Sequence, residues 1–341
     1  MKTGRRQQQA TGNSKRAGVF PLALTAVLFA FSFSAEAQQS GKIPHIGFLS
    51  AASPSAISDR LEAFRQGLTE LGYIEGKNIV VEYRYADGKG DRLPVLAAEL
   101  VGAKPDLIVA ATTPGVLAVK KASAMVPIVF VDISDPVANG LVASLARPGG
   151  NITGLTILGP ELSGKRLELL KEAAPNVARV ALLWNSANPA NELMWKETQA
   201  VAHELRVQLI SLEVRSSTDF DSAFETALRE HAQALIAAPE PLINTHLKRI
   251  VEFVANNRLP AMYGAPEVVN AGGLMSYAPN YTYEYRRAAA YVEKILKGAK
   301  PTDLPVEQPK DFQFIINLKA AKQIGLTIPP NVLARADRVI K

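Results

Sequence analysis

From residue 43 onward, short apolar, β-branched runs alternate with segments whose apolar residues recur every three or four positions. Apolar runs bounded by turn residues predict strands buried on both faces, and the 3.6-residue period predicts amphipathic helices. Strands are expected at 43–49, 78–84, 106–111, 127–131 and 152–157, with helices at 59–71, 92–101 and 116–124 between them. The first helix places Leu61, Phe64, Leu68 and Leu71 on one face. A second series follows, with helices at 163–174, 192–205, 219–229 and 242–256 and strands at 179–184, 208–214, 234–238 and 261–263. Strand 274–277, a long helix at 281–297 and strand 312–316 complete it. Such alternation implies an α/β protein with doubly wound parallel sheets.

Turn signals divide this pattern. Arg147-Pro148-Gly149-Gly150-Asn151 is the densest, and Ala271-Gly272-Gly273 precedes the return near 278. These breaks predict two doubly wound parallel-sheet lobes joined by a multi-strand hinge. One lobe is expected to comprise 43–156 plus 278–308, the other 157–277 plus 309–341.

The N-terminus is different in kind. Lys2, Arg5, Arg6, Lys15 and Arg16 precede a 15-residue, largely apolar stretch over 19–33 that ends at Ala35-Glu36-Ala37. A basic leader, a short apolar run and small residues at alternating positions predict a cleavable export signal over 1–37, and hence a periplasmic protein. The apolar stretch falls short of the roughly 20 residues of a spanning helix. Residues 1–37 hold five basic residues and one acidic residue of the chain's 38 and 32, leaving 33 against 31. The near-neutral remainder has no charge bias toward nucleic acid or anionic lipid, so no nucleic-acid partner is expected. The chain has no cysteine. That excludes disulfides, thiolate catalysis, Cys-ligated zinc and a lipid-modified N-terminal cysteine.

In open parallel sheets, ligands bind beyond the carboxyl ends of the strands. The segments there are rich in small hydroxyl, amide and acidic residues: Ser50 and Ser53, Thr112 and Thr113, Ser134 and Asp135, Asn185 and Asn188, Glu240, and Glu267. Each alone reads as a helix cap. Six such loops on one rim predict a cleft for a small polar ligand, with helix N-termini favouring an anionic group. Asp135, Glu240 and Glu267 are candidates for an ammonium group or hydroxyls, and Trp184 and Tyr263 for an apolar wall.

Enzyme signatures are sparse. The segment 159–166, GPELSGKR, resembles a phosphate-binding loop, but Arg166 occupies the place of the magnesium-binding hydroxyl and Pro160 removes a backbone donor. No nucleophile elbow, zinc-protease motif or dinucleotide fingerprint occurs, and the four histidines lack metal-ligand spacing. No catalytic residue, metal or cofactor is expected.

Seven segments carry a family resemblance: FRQGLTELGY at 64–73, VFVDISDP at 129–136, RPGGNITGL at 147–155, KRLELL at 165–170, LWNSANP at 183–189, GGLMSY at 272–277 and IINLKAAKQIGLTIPPNVLARADRVI at 315–340. In these the chain resembles ABC transporter substrate-binding proteins of the tryptophan/tyrosine type, from about residue 43 to the C-terminus. The resemblance implies a type I periplasmic-binding fold, a ligand held at the hinge, and an ABC permease as partner of a monomeric binding protein. It also implies cleft-lining roles for Thr112, Thr113, Ser134, Asp135 and Asn185, and an aromatic amino acid as ligand. Pro239-Glu240-Pro241 and Gly264-Ala265-Pro266 depart from the family in loops that face the ligand. A ligand-sensing domain sharing this fold, or an exported α/β enzyme, is the alternative class.

Overall fold

The computed structural model describes residues 42–341, so the export signal expected over 1–37 lies outside the described residues. The first sheet contains β1 (His45–Ser50), β2 (Val80–Tyr85), β3 (Leu107–Ala111), β4 (Ile128–Ser134) and β5 (Ile152–Ile157), in the order β2-β1-β3-β4-β5 and parallel throughout. Helices α1 (Ser58–Glu70), α2 (Leu93–Gly102) and α3 (Thr113–Ala122) connect these strands. The strands have the apolar content that two-sided burial requires: every residue of β3 and β5 is buried.

The chain then crosses to a second sheet through α4 (Gly159–Ala173), β6 (Arg179–Trp184), α5 (Pro189–Glu204), β7 (Gln208–Glu213), α6 (Phe220–Arg229) and β8 (Ala234–Ala237). It continues with α7 (Pro241–Thr245), α8 (Leu247–Asn256), β9 (Ala261–Tyr263), α9 (Glu267–Asn270) and β10 (Met275–Pro279). After α10 (Tyr281–Leu296) come β11 (Phe312–Asn317), α11 (Leu318–Ile324), α12 (Pro330–Leu333) and β12 (Arg338–Ile340). The sheet order is β12-β11-β10-β9-β8-β6-β7. All its pairs are parallel except β10–β11, which run antiparallel because the chain leaves this sheet for α10 and returns from the opposite end.

Helix α10 belongs to the packing of the first sheet although it follows most of the second. Tyr285, Ala288, Ala289, Tyr291 and Val292 share a buried cluster with Ile46, Phe48, Phe64 and Leu68. Gly67 permits the contact with α1, since a Cβ there would stand 2.6 Å from the carbonyl oxygen of Arg286. Where the chain crosses between sheets, Ile157, Ala278 and Tyr281 pack as a small cluster. A third crossing is tied to β5 by the Thr156 amide donating to Glu307 O (2.9 Å) and Thr153 Oγ1 donating to Leu304 O (2.6 Å).

The structure departs from the expected elements at three boundaries. Strand β4 runs on past Val131 to Ser134 through a register shift against β5. Helix α4 begins at Gly159, so the segment resembling a phosphate loop forms helical turns instead. The helix expected over 242–256 is interrupted at His246, which separates α7 from α8. Helices α9, α11 and α12 and strand β12 are short elements that the pattern does not predict.

One residue in β5 makes the pairing with β4 possible. Gly154 has φ +151°, and a Cβ would lie 2.0 Å from Phe130 O. Gly154→Ala is expected to destabilise the protein by roughly 1–3 kcal/mol, the usual range for forcing an atom into a packed site. Urea denaturation would measure it, and an unchanged midpoint would show that β4 and β5 can separate freely.

Candidate functional site

The carboxyl ends of the first sheet's strands face residues of the second sheet's loops across a narrow cavity with about 30 Å³ of free space. From the first sheet come Ser50 at the end of β1, Thr112 and Thr113 after β3, and Asp132 and Ser134 within β4. From the second come Asn188, Asn191 and Met194 at the start of α5, and Pro239, Pro241 and Asn244 around α7. Tyr281 and Tyr285 of α10 and Arg60 of α1 close the remaining side. The two halves touch beside it, where Gly88 lies so near α7 that a Cβ would stand 3.2 Å from Leu242 Cα.

Local backbone geometry points these groups inward. Thr112 has φ +70° immediately before α3, and Asp132 has φ +61° at the irregularity in β4. Neither conformation is common for a residue with a Cβ, and such outliers gather at functional sites. The Thr112 and Ser134 hydroxyls are buried, and their oxygens have no hydrogen-bond partner within the protein. Ser50 Oγ accepts from the Ala52 amide (3.1 Å) and Asn188 Oδ1 from the Ala190 amide (3.1 Å), so both also shape their own loops.

Arg60 dominates the charge of the site. Only 2% exposed, it donates from Nη1 to Asp132 Oδ2 (3.0 Å), and from Nε and Nη2 to Glu267 Oε1 (2.7 Å) and Oε2 (3.1 Å). Its guanidinium lies 3.7 Å from the centre of the Tyr281 ring. The forked geometry makes one strong pair with Glu267 and links α1, on the first sheet, to α9, on the second. Burial pushes the Asp132 carboxyl up to about 6 even though the adjacent Arg60 pulls it down. For Glu267, burial is outweighed by Arg60, and its carboxyl is held below the usual range.

The remaining sequence candidates, Glu267 among them, do not line this cavity. Ser53 accepts from the Ala56 amide in the turn before α1 (3.3 Å). Asp135 caps a turn by accepting from the Ala138 amide (2.9 Å). Glu240 is buried and accepts from the amides of Leu242 (2.7 Å) and Ile243 (3.2 Å) and from Asn185 Nδ2 (2.9 Å), which fixes α7 relative to β6. Burial pushes Glu240 to about 7 against the pull of these hydrogen bonds. Tyr263 lies in the core of the second sheet, 1% exposed. Trp184 stacks on Trp195 with ring centres 5.6 Å apart and lines a second, smaller cavity.

Arg60, Asp132, Asn191, Met194, Asn244, Tyr281 and Tyr285 also line the cavity and are not among the sequence candidates. A signal existed for two of them. Arg60 precedes Phe64 and Leu68 at four-residue spacing, which places a cation in an apolar helical stripe. Asp132 interrupts the run VFVDI, and a charge between apolar strand residues marks a special position.

Two α/β sheets with facing carboxyl-end loops and a polar cavity between them define a ligand-binding protein of the type I periplasmic-binding class. The profile of the family described as ABC transporter substrate binding protein matches residues 45–340, and the chain belongs to that family. It is 24% identical over 288 residues to a tyrosine-binding protein of Clostridioides difficile strain R20291, covering 84% of this chain and 82% of that one. Among solved structures it is similar to a conserved domain protein from Vibrio cholerae, with a TM-score of 0.82, 30% identity, and coverage of 87% of this chain and 100% of that one. An ABC domain from Streptococcus pneumonia in complex with L-Trp gives a TM-score of 0.81 at 26% identity, covering 88% and 100%.

Proposed function

We propose that this protein is the extracytoplasmic solute-binding component of an ABC importer, and that it holds an amino acid, with aromatic side chains favoured, between its two sheets. Residues 43–156 plus 278–308 act as one lobe and 157–277 plus 309–341 as the other, hinged at the three crossings. The leader over 1–37 directs export to the periplasm, and a membrane permease receives the closed, loaded monomer.

The observation that carries this reading is the cavity itself. Hydroxyls of Thr112 and Ser134 without protein partners converge there with the start of α3 and the Asp132 carboxyl, and they face Asn188, Asn191 and Asn244 of the opposite side. An amino-acid carboxylate fits hydroxyls and the amino end of a helix, and its ammonium group fits Asp132. The relatives that bind tyrosine and L-Trp point the same way. A ligand touching both lobes favours closure by its differential affinity for the closed form.

A thermal-shift screen of the twenty amino acids tests this directly. An aromatic amino acid at a hundred times its Kd should stabilise the native protein by about 2.7 kcal/mol. Solution scattering should record compaction on the same addition. Absence of both responses for every amino acid would overturn the assignment of ligand class.

A further inference from the structure

Beside the cavity the two sheets' loops meet at a glycine. Gly88 lies in the turn after β2 with φ +75°. A Cβ there would stand 3.2 Å from Leu242 Cα, 3.3 Å from Thr245 Oγ1 and 3.5 Å from Thr245 Cβ, all on α7. Other close approaches between the halves are made by the crossings themselves. Gly159 lies against Ser134, but it follows directly on β5, whose Ile157 pairs with Ser134. Arg60, which joins Glu267, packs on Tyr281 at another crossing. Gly88 and α7 belong to no crossing, so only the relative position of the two halves brings them together.

Both sides of this contact are held firmly. The Gly88 amide donates to Ala51 O (2.8 Å) and the Ala86 amide to Ser50 O (2.9 Å), which binds the turn to the end of β1. Ser50 and Ala52 of that segment line the cavity. On the other side Glu240 accepts from the amides of Leu242 and Ile243, Thr245 Oγ1 donates to Pro241 O (2.8 Å), and Ile243 is fully buried. Pro241 and Asn244 of α7 line the cavity as well. A methyl group at position 88 would meet a backbone atom of a packed helix, not the tip of a mobile side chain. Close-packed groups of this kind transmit strain instead of absorbing it.

We propose that Gly88 is the closure stop of the cleft. The lobes shut until the bare backbone at 88 meets Leu242 and Thr245, and the missing side chain sets how tightly a ligand is enclosed. Gly88 does not line the cavity, so it is a positioning residue. The proposal rests on the cleft being the ligand site between hinged lobes. Bulk at 88 raises the energy of the closed form alone, and affinity falls with the share of that form.

The chain has no cysteine, so one pair can be introduced without competition. The 3.5 Å between a Cβ at 88 and Thr245 Cβ lies within the span of a disulfide. Gly88→Cys with Thr245→Cys is expected to crosslink within the monomer on mild oxidation, read as loss of free thiol and faster migration on a non-reducing gel. L-Tyrosine or L-tryptophan loaded beforehand should then stay bound until a reductant is added. Asparagine tolerates positive φ, so Gly88→Asn tests bulk with little backbone strain. In calorimetry it should weaken both amino acids about tenfold or more, and in solution scattering it should reduce the compaction they cause. Gly76→Asn, at φ +78° with open space around it, should bind as the native protein does. Thiols that stay free, or a ligand that exchanges equally fast with the crosslink in place, overturn the closure stop and leave the amino-acid reading standing. Equal affinity of the two asparagine variants does the same. A crosslink in a protein that binds neither amino acid supports the contact and overturns the amino-acid reading.

Discussion

Replacing Arg60 with methionine is expected to destabilise the protein by about 3–5 kcal/mol, the range for removing one partner of a buried ion pair. The effect arises from what remains. Asp132 and Glu267 would face each other's charge without the guanidinium that donates three hydrogen bonds to them. Tyr281 would also lose the cation over its ring. Adding Asp132→Asn and Glu267→Gln should recover much of the loss, because it removes the stranded charges. By contrast, breaking the exposed Arg286–Glu70 pair should barely register, since solvent screens it. Urea unfolding of the single and triple variants decides the matter. A loss for Arg60→Met below about 1 kcal/mol would mean the cluster is solvated and the two sheets are not joined through it.

Raising the pH from 5 to 8 is expected to reduce stability by at least about 2 kcal/mol. Three buried carboxyls have native pKa values above the ordinary range: Asp132 at about 6, Glu240 at about 7 and Glu284 at about 8. Burial is the first cause in each. For Glu284 the neighbouring Glu307, Asp132 and Asp311 add to it while Arg287 opposes it. Between the ordinary carboxyl pKa and these raised values, the native state keeps protons that the unfolded chain has released. Stability from these groups is therefore present at low pH and is lost as pH rises through about 6 to 8. Glu267 and Glu307, held low by arginines, act oppositely, but their loss falls below pH 5. Glu284→Gln should flatten the profile. Stability that is level or rising from pH 5 to 8 would contradict the proton assignment of all three.

The fold was legible in the sequence because buried strands are written as apolar runs. Strands β5, β6 and β9 fall where the pattern places them, and the long α10 is out by a single residue. The pattern fails where one residue serves two purposes. Asp132 looks like a loop residue, yet it stays within β4 because Arg60, distant in sequence, neutralises it. Glu240 and Asn185 read as ligand groups from their position after strands; they bond to each other and to amide groups. Ser50, Thr112, Thr113, Ser134 and Asn188 do line the cavity. A strand-end rule finds these five cavity-lining residues but not the direction in which the other candidates turn their side chains. Arg166 was noticed only as a misfit in a nucleotide motif; its isolation from any acid depends on three-dimensional packing that no local spacing encodes.

The placement of α10 bears on how the chain matures. Phe48 and Phe64 complete their burial against residues that the ribosome adds only after five of the seven strands of the second sheet. Until Tyr285 and Tyr291 emerge, the amino-terminal half lacks a side of its core, and closing so long a loop is slow. A nascent polypeptide delayed in this way stays loose through most of its synthesis, and its first sheet becomes rigid only once α10 has docked.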